Sequence, residues 1–174
     1  MDATQSQIKI HGIASQTAED FAFDHDTSSD SDDLFTELVP DLDNWGGVGW
    51  MELTSFEYDG TRQIMNLMVE TKWASPVEWL RNASIGSHYF ENKLITMTTI
   101  QKDETVVTAS AVMDGEILQN KYIFEMPSEE VGKYYNDDIS DYNLDNLDNQ
   151  IWDSIAKFVT VCEQFYLEGD KEND

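Results

Sequence analysis

Hydrophobic and polar residues alternate with two different periods along this chain, and the switches between them mark its elements. Gln7-Ile8-Lys9-Ile10-His11-Gly12-Ile13 alternates with period two, which predicts a half-buried strand ending near Gly12. Ser15 or Thr17 is placed to cap a short helix over Ala18–Phe23. Leu34-Phe35-Thr36-Glu37-Leu38-Val39-Pro40 is apolar enough to dock on the body of the protein. Gln63–Trp73 alternates again, with Ile64, Leu67 or Met68, Val69 and Trp73 apolar, and predicts a central strand with a bulge or a buried stretch in its middle. Ser75-Pro76-Val77-Glu78 then has the spacing of a capping box with proline at the first helical position. It predicts a helix to about Ser84 that turns Val77, Trp79, Leu80 and Ala83 inward and ends at Gly86.

The second half repeats the alternation. Leu94–Ile100, Thr105–Met113 and Glu116–Met126 read as a meander of antiparallel strands, joined by Lys102-Asp103-Glu104 and by the hairpin signal Asp114-Gly115. Pro127 stops it. Leu147, Ile151, Ile155, Phe158, Cys162 and Phe165 recur at spacings of three or four, the mark of an amphipathic helix. Asp145 or Asn146 caps it and Gly169 ends it. The pattern therefore predicts an α+β protein. Residues 1–126 form an antiparallel sheet packed by helices. Residues 127–174 form an acidic linker and a helix that packs on that domain.

Charge changes this picture most. The chain has 174 residues, with 35 Asp and Glu against 10 Lys and Arg, a net charge of −25. Residues 1–60 hold 14 acids and one base, residues 61–120 seven acids and five bases, residues 121–174 fourteen acids and four bases. The middle third is close to an ordinary balance, flanked by two acidic thirds. Acidity serving only solubility spreads over every exposed surface; this asymmetry points to acidic elements added around a near-neutral scaffold. Such a charge repels free nucleic acid and acidic membranes and attracts basic proteins. With 40% hydrophobic residues the chain still has material for a core.

The remaining chemistry is sparse. Cys162 is the only cysteine, so no intramolecular disulfide forms, and a reducing cytoplasm is the expected compartment. No apolar run reaches the ~20 residues a bilayer span needs, and the first residues lack the basic and apolar regions of a signal peptide. Trp45-Gly46-Gly47-Val48-Gly49-Trp50 lacks the GKS/T ending of a phosphate loop and reads as a packed turn. His11, His25 and His88 fall in unrelated segments. No nucleophile–base spacing stands out, and no enzyme activity, cofactor or metal is expected. The run Asp24-His25-Asp26-Thr27-Ser28-Ser29-Asp30-Ser31-Asp32-Asp33 starts like a calcium loop. It has Ser29 and Phe35 where such a loop needs Gly and Glu.

One constellation resembles a known family. A first strand near the N-terminus, the Leu38-Val39-Pro40 segment, the tryptophan-bracketed glycine loop and the strand–helix junction Glu70-Thr71-Lys72-Trp73-Ala74-Ser75-Pro76 resemble the YubB-like ferredoxin-domain proteins of bacteriophages and conjugative plasmids. The likeness covers roughly residues 7–126. It implies a ferredoxin-like core and a mobile-element origin, and it carries no catalytic set with it. The glycine loop lacks the family's Thr-Lys, and only one proline follows Ser75. The acidic run stands where the family has a longer first helix.

Charge and resemblance together predict a phage- or plasmid-encoded DNA-mimic inhibitor of anti-restriction, anti-CRISPR or host-takeover type. Its carboxylates would occupy the basic nucleic-acid-binding surface of a host protein, accepting the charge-assisted bonds that phosphates accept. The expected mimic surface is Asp24, Asp26, Asp30, Asp32 and Asp33, with Glu129, Glu130, Asp137, Asp138, Asp141, Asp145 and Asp148. The protein itself binds neither nucleic acid nor membrane on this reading, and a homodimer would extend the acidic stripe. The alternative is a non-enzymatic interaction module whose binding patch is apolar, around Trp45 and Trp50, and whose acidity serves only solubility.

Overall fold

The computed structural model describes residues 4–72, 74–101, 106–125 and 153–168. Six antiparallel strands form one sheet. They are β1 (Thr4–His11), β2 (Met51–Asp59), β3 (Ile64–Thr71), β4 (Ile95–Gln101), β5 (Val106–Met113) and β6 (Glu116–Glu125). The strand order across the sheet is β2-β3-β1-β4-β5-β6. Between β1 and β2 lie helix α1 (Ser15–Asp24), helix α2 (Asp33–Leu38) and the single turn α3 (Asn44–Gly47); helix α4 (Val77–Gly86) joins β3 to β4. A last helix, α5, runs over 153–162 and continues as a π-helical stretch, Glu163–Glu168.

Strand parity sorts the chain into three layers. Ile8, Ile10, Leu67, Val69, Met97 and Val112 face one side of the sheet, where they meet Phe21 of α1, Leu34 and Phe35 of α2, and Trp79 and Leu80 of α4. The other face carries a smaller apolar cluster, in which Leu94, Ala109 and Ala111 pack against Phe158 and Cys162 of α5. Trp79 anchors the first core. Its ring is fully buried, stands edge-on to Phe35 at 5.1 Å, and donates its indole N–H to the Phe35 carbonyl at 3.1 Å.

Several expectations hold and some are corrected. The three-strand meander and the Asp114-Gly115 turn form as read, with φ of 49° and 80° at the two turn residues. The Leu34–Pro40 segment docks through buried Leu34, Phe35 and Leu38, as a helical turn. Neither predicted cap forms. The cap residue of α1 is Ala14, with no side-chain bond. The cap residue of α4 is Pro76 rather than Ser75. The Ser75 hydroxyl is taken by the sheet instead, accepting from Thr99 Oγ1 at 3.0 Å, and Thr99 also bonds buried Ser6 at 2.9 Å. Glu78, freed from the capping box, pairs with Arg81 at 3.1 Å. The Trp73 end of the central strand, the Lys102-Asp103-Glu104 turn and the start of the last helix lie outside the described residues.

Both sheet edges are guarded against pairing with another strand. β6 carries two register shifts and an exposed Lys121. β2 carries one shift, and the loop after α1 covers its first residues through an isolated bridge from Ser31 to Leu53. Bulges and lysines on edge strands are established ways to blunt an edge.

Candidate anionic interface

The Ser31 bridge places the first acidic run. Asp26 starts the turn: its Oδ1 accepts from the Ser28 backbone N–H at 3.0 Å and from the Ser28 hydroxyl at 2.5 Å. Those two bonds hold the Asp26 carboxyl below its usual range. Asp30 turns the chain in a left-handed conformation, φ 66°. Its backbone N–H then donates to the Leu53 carbonyl at 2.7 Å, and Leu53 returns a bond to Ser31 at 2.8 Å. Asp30 and Asp32 are thereby fixed on either side of buried Ser31, against the edge of the sheet.

The sheet contributes two more carboxylates there. Glu52 of β2 and Glu70 of β3 are direct cross-strand partners, both half-buried, on the face opposite the main core. A side-chain hydrogen bond with Asp30 pushes the Glu52 carboxyl above its usual range, followed by desolvation and by the charges of Asp30, Glu70 and Asp32. Asp30, Asp32, Glu52 and Glu70 thus form one acidic group at the sheet edge. Alternation alone missed Glu52 and Glu70. The signal that could have found them was the pair of acids at outward positions of neighbouring strands.

Asp24, Asp26, Asp30, Asp32 and Asp33 are all exposed. They serve different local roles. Asp33 sits in the first turn of α2, where the helix dipole favours it. Asp24 closes α1 at the unfavourable end and accepts the Tyr89 hydroxyl, whose own pKa this pushes up to about 12. Glu37, a residue outside the expected set, adds to this side by contacting His25 Nδ1 at 2.6 Å. Glu129, Glu130, Asp137, Asp138, Asp141, Asp145 and Asp148 lie outside the described residues. The described residues hold 22 Asp and Glu against 7 Lys and Arg, so most carboxylates have no base to pair with.

Comparison of the chain with protein-family models, curated proteins and solved structures finds no match.

Two other arrangements bear on chemistry. Thr96, His11 and Glu163 stand in a line: His11 Nε2 meets Thr96 Oγ1 at 2.8 Å and His11 Nδ1 meets Glu163 Oε1 at 3.2 Å. The connectivity matches a nucleophile, a base and an orienting carboxylate. Thr96 is 1% exposed and His11 3%, so no substrate reaches either group. The line acts as a clip holding α5 to the sheet. Burial, and then the Lys9 charge, lower the His11 pKa to about 4, so the ring is neutral near pH 7. As a neutral imidazole it satisfies both contacts, donating from Nδ1 to Glu163 and accepting at Nε2 from Thr96.

Cys162 is buried beside this clip, and burial pushes its thiol pKa up, away from the thiolate. Among the described residues no group of three or more His, Cys, Asp or Glu is placed to hold a metal ion. None of their helices is long and apolar enough to cross a membrane. The Trp45–Trp50 loop is a packed turn, as read. Trp45 is half-buried against the core, and Gly46, at φ +82°, leaves no room for a side chain beside Glu78.

Proposed function

We propose that the protein is a non-enzymatic DNA mimic encoded by a phage or plasmid. In the host cytoplasm it occupies the basic nucleic-acid-binding surface of a defence or DNA-binding protein. The observation that carries this reading is the fixed group Asp30, Asp32, Glu52 and Glu70 at the guarded sheet edge. Competition with duplex DNA requires carboxylates held in place, since DNA offers one charge per ~1.7 Å of its axis. An edge-strand bridge supplies that rigidity; a disordered acidic tail does not. The order of helices and strands supports the ferredoxin-like part of the reading. Across β1 to β4 the chain runs β-α-β-β-α-β with strand order 4-1-3-2, the split βαβ arrangement. A mobile-element origin rests on the family resemblance.

Competition for a set of purified restriction and CRISPR effector complexes tests the proposal. The protein should displace labelled duplex DNA from at least one of them at low salt and lose that ability steeply as salt rises. Replacing Asp30, Asp32, Glu52 and Glu70 by their amides should abolish displacement without unfolding the protein. Full inhibition by the amide variant refutes the reading.

A second reading keeps a specific observation in its favour. Tyr122 is 70% exposed and Val161 51%, and both line a groove of about 360 Å³ between β6 and α5, together with Lys121 and Lys157. An interaction module would bind there, through apolar contact, with affinity that salt leaves largely unchanged.

A further inference from the structure

Phe23 breaks the rule that governs the rest of α1. Its ring is 90% exposed, whereas Phe21, two residues earlier, is fully buried in the core. Residues three and four apart share a helix face, so Phe23 shares the outward stripe with Glu19 and Asp20, both exposed. Asp24 and Asp26 follow directly and are exposed too, and the last turn of α1 has no basic residue to balance them. Gln16 Nε2 occupies Oδ1 of Asp20 at 2.9 Å and steadies that carboxylate. An aromatic face left in water and framed by carboxylates is poor for folding and good for one class of ligand group.

We propose that this face of α1 binds arginine side chains of the basic partner. It rests on the mimic reading and names the chemistry of the partner. The guanidinium is flat and weakly hydrated, so it lies against the Phe23 ring while its N–H groups donate to the Glu19 and Asp20 carboxylates. A lysine ammonium is compact and strongly hydrated. It satisfies the carboxylates but gains less from the ring. The patch therefore selects arginine-rich surfaces over lysine-rich ones of equal charge, which a simple row of acids does not do.

Titration of the nitrogen-15-labelled protein with tri-arginine amide and tri-lysine amide at low salt tests this, read by NMR shifts of the α1 amides and the Phe23 ring protons. The native protein should bind tri-arginine about two- to five-fold more tightly than tri-lysine at α1. Phe23→Ala should remove the preference while leaving the thermal midpoint unchanged, because the ring is exposed. Phe23→Tyr, which keeps the aromatic face, should preserve it. Equal binding of the two peptides by the native protein overturns the arginine patch alone, as does a preference that survives Phe23→Ala. Failure of both peptides to shift any amide of the acidic face overturns the mimic reading, and the patch with it.

Discussion

Lowering the pH from neutral to 4.5 should weaken the fold through His11, by an amount the structure bounds. The imidazole is 3% exposed and titrates at about 4 in the folded protein, against an ordinary value of 6.5. Between those values the unfolded chain binds a proton that the folded chain refuses, so stability falls as pH drops through this window and levels off below it. At pH 4.5 the linkage amounts to about 2.5 kcal/mol at most. The Glu163 carboxylate, 3.2 Å from Nδ1 and itself partly exposed, favours the protonated ring and trims the effect. The 35 carboxylates work in the opposite direction, because protonating them relieves repulsion. A control that keeps them is therefore needed. Urea denaturation of the native protein and of His11→Asn at pH 7.5 and pH 4.5 isolates the histidine. The native protein should lose about 2 kcal/mol more than the variant between the two conditions. Hydrogen exchange should show α5 opening first, since the clip holds it. If both proteins change in parallel, His11 is not a buried neutral group.

Four further outcomes follow from individual contacts. Gly46→Ala should cost about 2 kcal/mol in chemical denaturation, because a Cβ there lies 2.9 Å from Glu78 Cβ at φ +82°. Gly47→Ala, at φ +93° with nothing within 4 Å, should pay only the backbone part, about 1 kcal/mol. Trp79→Phe should destabilise by about 2 kcal/mol, read from the same curves, since it opens a void and leaves the Phe35 carbonyl short of the indole donor. Glu70→Gln should stabilise the protein by about 0.5 kcal/mol at low salt, by removing a like charge opposite Glu52. The gain should vanish at high salt, and a loss of stability instead would mean that the pair is held by something other than repulsion.

How much of this was legible in the sequence depends on whether a local period survived into the fold. β1 kept a strict period of two, so its inward set, Ile8 and Ile10, could be read directly. β2 did not. The shift between Leu53 and Ser55 moves the inward set from Met51 and Leu53 to Phe56 and Tyr58, so simple alternation breaks in mid-strand and the whole element went unread. The predicted caps failed for a different reason. Ser75 has the right spacing for a cap, but its hydroxyl bonds Thr99, 24 residues away, and a tertiary contact of that kind leaves no local trace. The acidic run was plain as a run. Its attachment to β2 through Ser31 was not, because backbone bridging follows no side-chain pattern.

Placement, rather than amount, is what the structure adds to the charge. A protein acidic only for solubility gains most by setting its carboxylates where they cost nothing, at helix N-termini or beside bases. Asp33 follows that rule. Asp24 sits at the wrong end of α1, and Glu52 faces Glu70 with Asp30 bonded to it, against the repulsion of all three. Each of these choices lowers stability in a chain that already repels itself. Locally costly choices of this kind are where function is expected to outweigh stability. If that holds here, neutralising Glu52, Glu70 and Asp24 together should raise the thermal midpoint and abolish partner binding at once. Neutralising an equal number of dispersed acids, such as Glu57, Glu91 and Asp114, should leave binding in place. Equal loss of binding from both sets would mean that net charge alone recruits the partner.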